Sequence, residues 1–242
     1  MLRLETRKLN FPTVKYNTQT FNQSGWSLRD SETFYHSPAK DLKYYLITTR
    51  IDMFSATSYV REFENQVKKR LSMTTVTRLN PVETTAYSPD NQASNIEGKL
   101  RDAKSKGAEL VLLIIPSKDR VIYRSYKELA DRKYGLQAIC LTIKRDNLPK
   151  TLDQPSTNAM TKYMTNIAMK VNIKKGGVNS IVDGFSLKET LILGADVVHP
   201  GSAALESCPS IASVVGSIDP SVTRYLGSMR LQQNDKDDHE VS

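Results

Sequence analysis

Residues 109–115, Glu-Leu-Val-Leu-Leu-Ile-Ile, form an apolar run halted by Pro116, and this run constrains the fold more than any other stretch. A strand with one wet face alternates apolar and polar residues. A run without alternation belongs to a strand covered on both faces, as in a parallel sheet between two helical layers. Proline has no N–H to give to a ladder, so Pro116 marks the strand's end.

The flanking sequence supplies the rest of such a fold. Residues 42–49 read as a strand. Residues 55–71 read as a helix with Tyr59, Phe63, Val67 and Leu71 on one stripe. The β-branched stretch 74–79 reads as a short strand, and a turn-rich segment (Asn80-Pro81, then 88–91) leads to a helix over 93–105 closed by Gly107. After the apolar strand come a helix over 121–133, a strand over 136–143, and a long helix that Ser156 is placed to cap. That last helix turns Met160, Tyr163, Met164, Ile167 and Val171 inward and ends at Gly176-Gly177. The alternation predicts an α/β fold: a Rossmann-like, open, mainly parallel sheet flanked by helices. Residues 1–38 are polar and read as an extended linker anchored by Trp26 and Phe34. Beyond Gly184 the rhythm changes to consecutive strands at 191–195, 211–218 and 225–231, which read as the start of a second sheet.

Bulk properties narrow the function. The chain has 242 residues, 39% hydrophobic and 25% charged, which describes a soluble globular protein. No run nears the roughly 20 apolar residues needed to span a bilayer, and residues 1–8 lack the apolar core of a signal peptide. Two cysteines argue against a disulfide framework, and three scattered histidines offer no zinc spacing. The net charge is +8, and residues 118–175 hold thirteen Lys or Arg against five Asp or Glu, so this one segment carries the whole excess. A localised basic region fits a polyanion partner, or simply a solvated surface.

Within that segment Tyr123 and Lys127 are one helical turn apart, as are Lys170 and Lys174 near the end of the last helix. In open α/β sheets ligands collect beyond the carboxyl ends of the strands. The strand ending at Ile115 opens there into a loop and a helix start, with Gln137 or Cys140 on the next strand nearby. Two or three ammonium groups and a ring suit a nucleotide, through phosphate neutralisation and base stacking. Spacing alone allows another reading, an ordinary helix face with lysines complementing a helix dipole.

Residues 163–179, Tyr-Met-Thr-Asn-Ile-Ala-Met-Lys-Val-Asn-Ile-Lys-Lys-Gly-Gly-Val-Asn, resemble the segment that closes the MID domain of eukaryotic Argonaute proteins. Residues 191–200, Leu-Ile-Leu-Gly-Ala-Asp-Val-Val-His-Pro, resemble the opening strand of the Argonaute PIWI domain. Residues 208–219, Arg224-Tyr225 and 230–233 continue that likeness. Tyr123-Arg-Ser-Tyr-Lys127 fits the family's Tyr-x-x-x-Lys, and residues 9–16 with Gly25-Trp26 resemble the linker entering MID. The resemblance implies a linker over 1–38, a MID domain over 39–183 and the N-terminal part of PIWI over 184–242. The last would supply the first strands of an incomplete RNase H-like domain.

What the resemblance implies for function is binding of the 5′-phosphorylated end of a small guide RNA in cytoplasmic RNA silencing, with silencing proteins as further partners and no membrane role. Tyr123 would stack on the first base. Lys127, Lys170 and Lys174 would hold the phosphate, with Cys140 beside them. The loop Ser117, Lys118, Asp119, Arg120, Val121 and Ile122 would face the base edge. The family often shows Gln-Cys where this chain has Ile139-Cys140, with Gln137 two residues earlier. Asp196, at the end of its strand, matches the first carboxylate of the slicer site. That site uses several carboxylates to hold a divalent metal such as magnesium, so one aspartate implies no catalysis and no cofactor for this chain. Two other readings compete: a nucleotide- and metal-dependent α/β enzyme using Asp196, and a protein-docking module. No Gly-x-Gly-x-x-Gly or P-loop motif supports the enzyme.

Overall fold

The computed structural model describes residues 10–21, 32–83, 92–184, 188–201 and 208–232. Trp26, the turn at 88–91 and the polar tail lie outside the described residues. In chain order the elements are β1 (Val14–Lys15), β2 (Thr20–Phe21), β3 (Asp41–Thr48), α1 (Met53–Arg70), β4 (Thr75–Arg78), α2 (Gln92–Ser105) and β5 (Leu110–Ile115). There follow α3 (Arg120–Glu128), β6 (Gln137–Thr142), α4 (Asn158–Lys174), β7 (Ile181–Val182), β8 (Leu193–Val198), β9 (Ser210–Ser217) and β10 (Tyr225–Gln232). They divide into two compact units, one comprising residues 16–19 and 27–180, the other comprising 1–15, 20–26 and 181–242.

The larger unit is the open α/β sheet. Its strand order is β4-β3-β5-β6, and every pairing is parallel. All six residues of β5 are buried, and their alternation divides them between two cores. Leu110, Leu112 and Ile114 pack with α1 and α4, whereas Val111, Leu113 and Ile115 pack with α2 and α3. The apolar run is uninterrupted because both faces of the strand are roofed by helices. The stripe Tyr59, Phe63, Val67, Leu71 is wholly buried against the first face.

A polar ladder fixes α4 against α1. Thr161 Oγ1 donates to Glu62 Oε1 at 3.0 Å, and Thr165 Oγ1 donates to Gln66 Oε1 at 3.1 Å. The cap of α4 is Thr157, whose Oγ1 accepts from the Met160 N–H at 3.2 Å; Ser156 sits one residue too early for that bond. At the other end Gly177 N–H donates to Asn172 O at 2.8 Å, while Gly176 adopts φ 83°. Glycine takes that left-handed turn without a Cβ clash and closes the helix.

The helix expected over 121–133 divides. Its α part ends at Glu128, and residues 129–134 continue as a wider π turn closed by Gly135 at φ 60°. The widening keeps Ala130 in the core while Lys133 Nζ and Tyr134 Oη both reach Glu97 Oε1 of α2, at 2.5 and 3.1 Å.

In the smaller unit β2-β1-β7 form one small antiparallel sheet, so the linker region carries strands of its own. β8, β9 and β10 form an antiparallel meander. Asp196 is not at a strand end as expected. It lies inside β8 opposite Ser213, because Val197 and Val198 continue the pairing with β9.

Candidate functional site

Among the described residues β6 is the last strand of its sheet, so one of its edges offers backbone groups to no other described strand. α3 covers one face of the sheet and α4 the other. Their outermost lysines close on that edge from both sides. Lys127 Nζ donates to Ala138 O at 3.3 Å and pairs with Asp131 Oδ2 at 2.8 Å. Lys174 Nζ donates to Gln137 Oε1 at 3.3 Å.

The two ammonium groups feel one another. Burial pushes the Lys174 pKa down, and the charge of Lys127 lowers it further, with Asp131 opposing. A half-buried ammonium facing a second ammonium lacks an anion. Cys140, two residues along the strand from Ala138, completes the cluster. Burial pushes its thiol pKa up to about 11, against the pull of Lys127. The sheet therefore gathers Lys127, Lys174, Gln137 and Cys140 at the side edge of β6, with Lys174 near the amino end of that strand. This is not the position beyond the carboxyl ends expected from the general rule for open sheets. At the switch between β3 and β5, Arg50 and Asp119 form an ion pair.

Tyr123 and Lys170 occupy the flanks. Tyr123 is 50% exposed, one turn before Lys127 on α3. Lys170 is exposed one turn before Lys174 on α4, and no carboxylate among the described residues pairs with it. Neither side chain forms a hydrogen bond or ion pair with Lys127 or Lys174. Of the six loop residues, only Ser117, Lys118 and Asp119 precede the helix. Asp119 Oδ1 accepts from the Ile122 N–H at 3.0 Å, Val121 is 79% exposed, and Ile122 is 2% exposed in the core. The Ile122 side chain thus belongs to the core packed on β5.

Sequence reasoning missed Arg50, which is far from the loop in sequence; its signal, a lone arginine after a strand, is common. Gln137, by position only a weak stand-in for the family's Gln, is the residue that Lys174 touches. Asp196 is exposed, and Ser213 Oγ donates to its carbonyl at 3.3 Å. Among the described residues no group of three or more His, Cys, Asp or Glu could hold a metal ion. No helix among the described residues is long and apolar enough to cross a membrane.

A parallel α/β sheet with helices on both faces and lysines converging on its free edge defines an open α/β domain with a cationic edge. The Piwi domain profile matches residues 110–241, and the chain belongs to the Piwi-domain family. Protein argonaute 10 of Arabidopsis thaliana is 36% identical over 138 residues, which is 53% of this chain and 13% of that protein. The chain thus spans a small part of the relative's length. Among solved structures, Kluyveromyces polysporus Argonaute with a guide RNA matches with a TM-score of 0.67 at 23% identity, covering 93% of this chain and 29% of that one. The MID-PIWI domains of N. crassa QDE-2 match with a TM-score of 0.62 at 20% identity, covering 82% and 54%. Those likenesses establish the fold alone: a mixed α/β fold with a parallel sheet flanked by helices, as in these neighbours.

Proposed function

We propose that this chain holds the 5′-phosphorylated end of a small guide RNA at the free edge of β6. The observation that carries this reading is the approach of Lys127 and Lys174 from opposite faces of the sheet onto one strand edge, where burial and mutual repulsion favour an added anion. A relative of the same fold was solved with a guide RNA. A terminal phosphate carries more negative charge than an internal one, and it suits a pair of ammonium groups. Lys170 adds charge from the next turn of α4, and the exposed ring of Tyr123 is free to stack on the first base.

On this reading residues 1–38 are the linker, 39–183 the MID domain and 184–242 the N-terminal part of PIWI. On the same reading the chain binds RNA, and Asp196 belongs to no group of three or more His, Cys, Asp or Glu among the described residues that could hold a metal ion. The test compares 5′-phosphorylated and 5′-hydroxyl RNA of one sequence. The phosphorylated form binds more tightly by tenfold or more, on the order of what a charge-assisted contact supplies. The Lys127→Ala, Lys174→Ala double variant abolishes that difference, and affinity falls with salt as phosphate contacts release counterions. Equal affinity for the two RNAs overturns the proposal.

A further inference from the structure

Val121, Ser125 and Leu129 follow one another at intervals of four residues along α3 and into the π turn, and they line a groove of about 900 Å³ that Glu97 of α2 completes. Lys127 and Tyr123 lie on a different flank of α3, because residues two apart are about 200° apart around a helix. The groove is therefore separate from the β6 edge. Its apolar content is exposed: Val121 is 79% accessible. Its rim is cationic beyond its own needs. Arg120 and Arg124 pair with no carboxylate among the described residues, and Arg132 meets Glu128 at 3.5 Å with both side chains largely in water. Exposed pairs of that kind are readily exchanged for a better partner.

We infer that this groove docks an acidic peptide. An aliphatic side chain of the peptide enters the stripe between Val121 and Leu129, and flanking carboxylates meet Arg120, Arg124 and Arg132. A guanidinium presents a planar fork that matches a carboxylate. The volume is within the range of ordinary ligand pockets, and an apolar floor with a few placed charges is their usual composition. Single-stranded nucleic acid takes aromatic platforms for its bases, and among the described residues no aromatic side chain lines this groove. The π turn forms the lower end of the groove, and such turns recur at functional sites.

The test uses the full chain and a fluorescein-labelled, end-blocked peptide of alternating Glu and Leu, followed by anisotropy. Affinity falls about tenfold when the leucines are replaced by serine, and by a similar factor in the Arg124→Gln, Arg132→Gln variant. Both arginines are exposed, so the variant keeps its fold, checked by circular dichroism. Saturating uridine 5′-monophosphate does not displace the peptide. Three results overturn the inference: undiminished binding of the serine peptide, undiminished binding by the arginine variant, or displacement of the peptide by 5′-hydroxyl RNA, which would assign the groove to nucleic acid.

Discussion

Arg50 Nη2 lies 3.1 Å from Asp119 Oδ2, joining the turn after β3 to the turn before α3. The other oxygen of the same carboxylate accepts from the Ile122 N–H at 3.0 Å and caps α3. One aspartate thus sets both the start of the helix that carries Tyr123 and Lys127 and its distance from the neighbouring strand. Arg50 adopts φ 56°, a left-handed conformation that is uncommon for a residue with a side chain.

Asp119→Ala removes the cap and the ion pair together and lowers stability by about 1–2 kcal/mol. Arg50→Ala removes only a partly exposed pair and changes stability by less than about 1 kcal/mol. Urea unfolding measures both. If the loop biases the first nucleotide, Arg50→Ala alters the ranking of the four nucleoside 5′-monophosphates while leaving their average affinity in place. An unchanged ranking with a uniform loss would show that the pair serves folding alone.

A Cβ on Gly177 would stand 2.2 Å from Asn172 Oδ1. Asn172 cannot swing away cheaply, since its Nδ2 donates to His36 O at 3.1 Å and to Asn179 Oδ1 at 3.0 Å. Gly177→Ala therefore costs about 1–3 kcal/mol as an overpacked site. Asn172→Ala makes room, so the double variant loses less than the sum of the single losses. Additive losses in chemical denaturation would contradict this account.

Lys174 carries a pKa lowered by burial and by Lys127. Its charged form is penalised in the folded state, and at neutral pH that penalty is present in full. As pH rises through the lowered value toward the ordinary 10.5, the native state releases its proton before the unfolded state does, and the penalty is relieved. Lys174→Met should raise the apo melting temperature at pH 7 and weaken binding of 5′-phosphorylated RNA about tenfold or more. A lower melting temperature with unchanged RNA affinity would refute the assignment.

Cys140 behaves oppositely on the alkaline side. Its thiol pKa stands near 11 against an ordinary 9.0. The stabilising contribution of the protonated thiol is complete below pH 9 and is lost as pH climbs through about 11. At neutral pH the thiol is protonated and reacts slowly, since the thiolate is the nucleophile. Iodoacetamide followed by peptide mass mapping should label Cys140 far more slowly than a model thiol. Fast labelling at pH 7 would show that the thiol is not held in this way.

Strand and helix positions in the larger unit were legible because burial on two faces leaves its own periodicity. The run ending at Ile115 had to be a central strand, and the stripe from Tyr59 to Leu71 had to face a core. Boundaries were less legible. Thr157 in place of Ser156 as cap, and the π turn after Glu128, depend on which bond the backbone completes locally. The place of Asp196 within β8 depends on how far the pairing with β9 runs.

By itself the sequence determined the α/β class, the order of elements, the concentration of positive charge in 118–175 and the family resemblance. These are carried by composition, period and motif along the chain. Only the tertiary structure decided that Lys127 and Lys174 meet at the open edge of β6, and that Arg50 reaches Asp119. It also separated the groove beside Val121 from the lysine edge. Those relations join residues tens of positions apart, and they follow from which strand is outermost and which helix covers which face, quantities that no local pattern encodes.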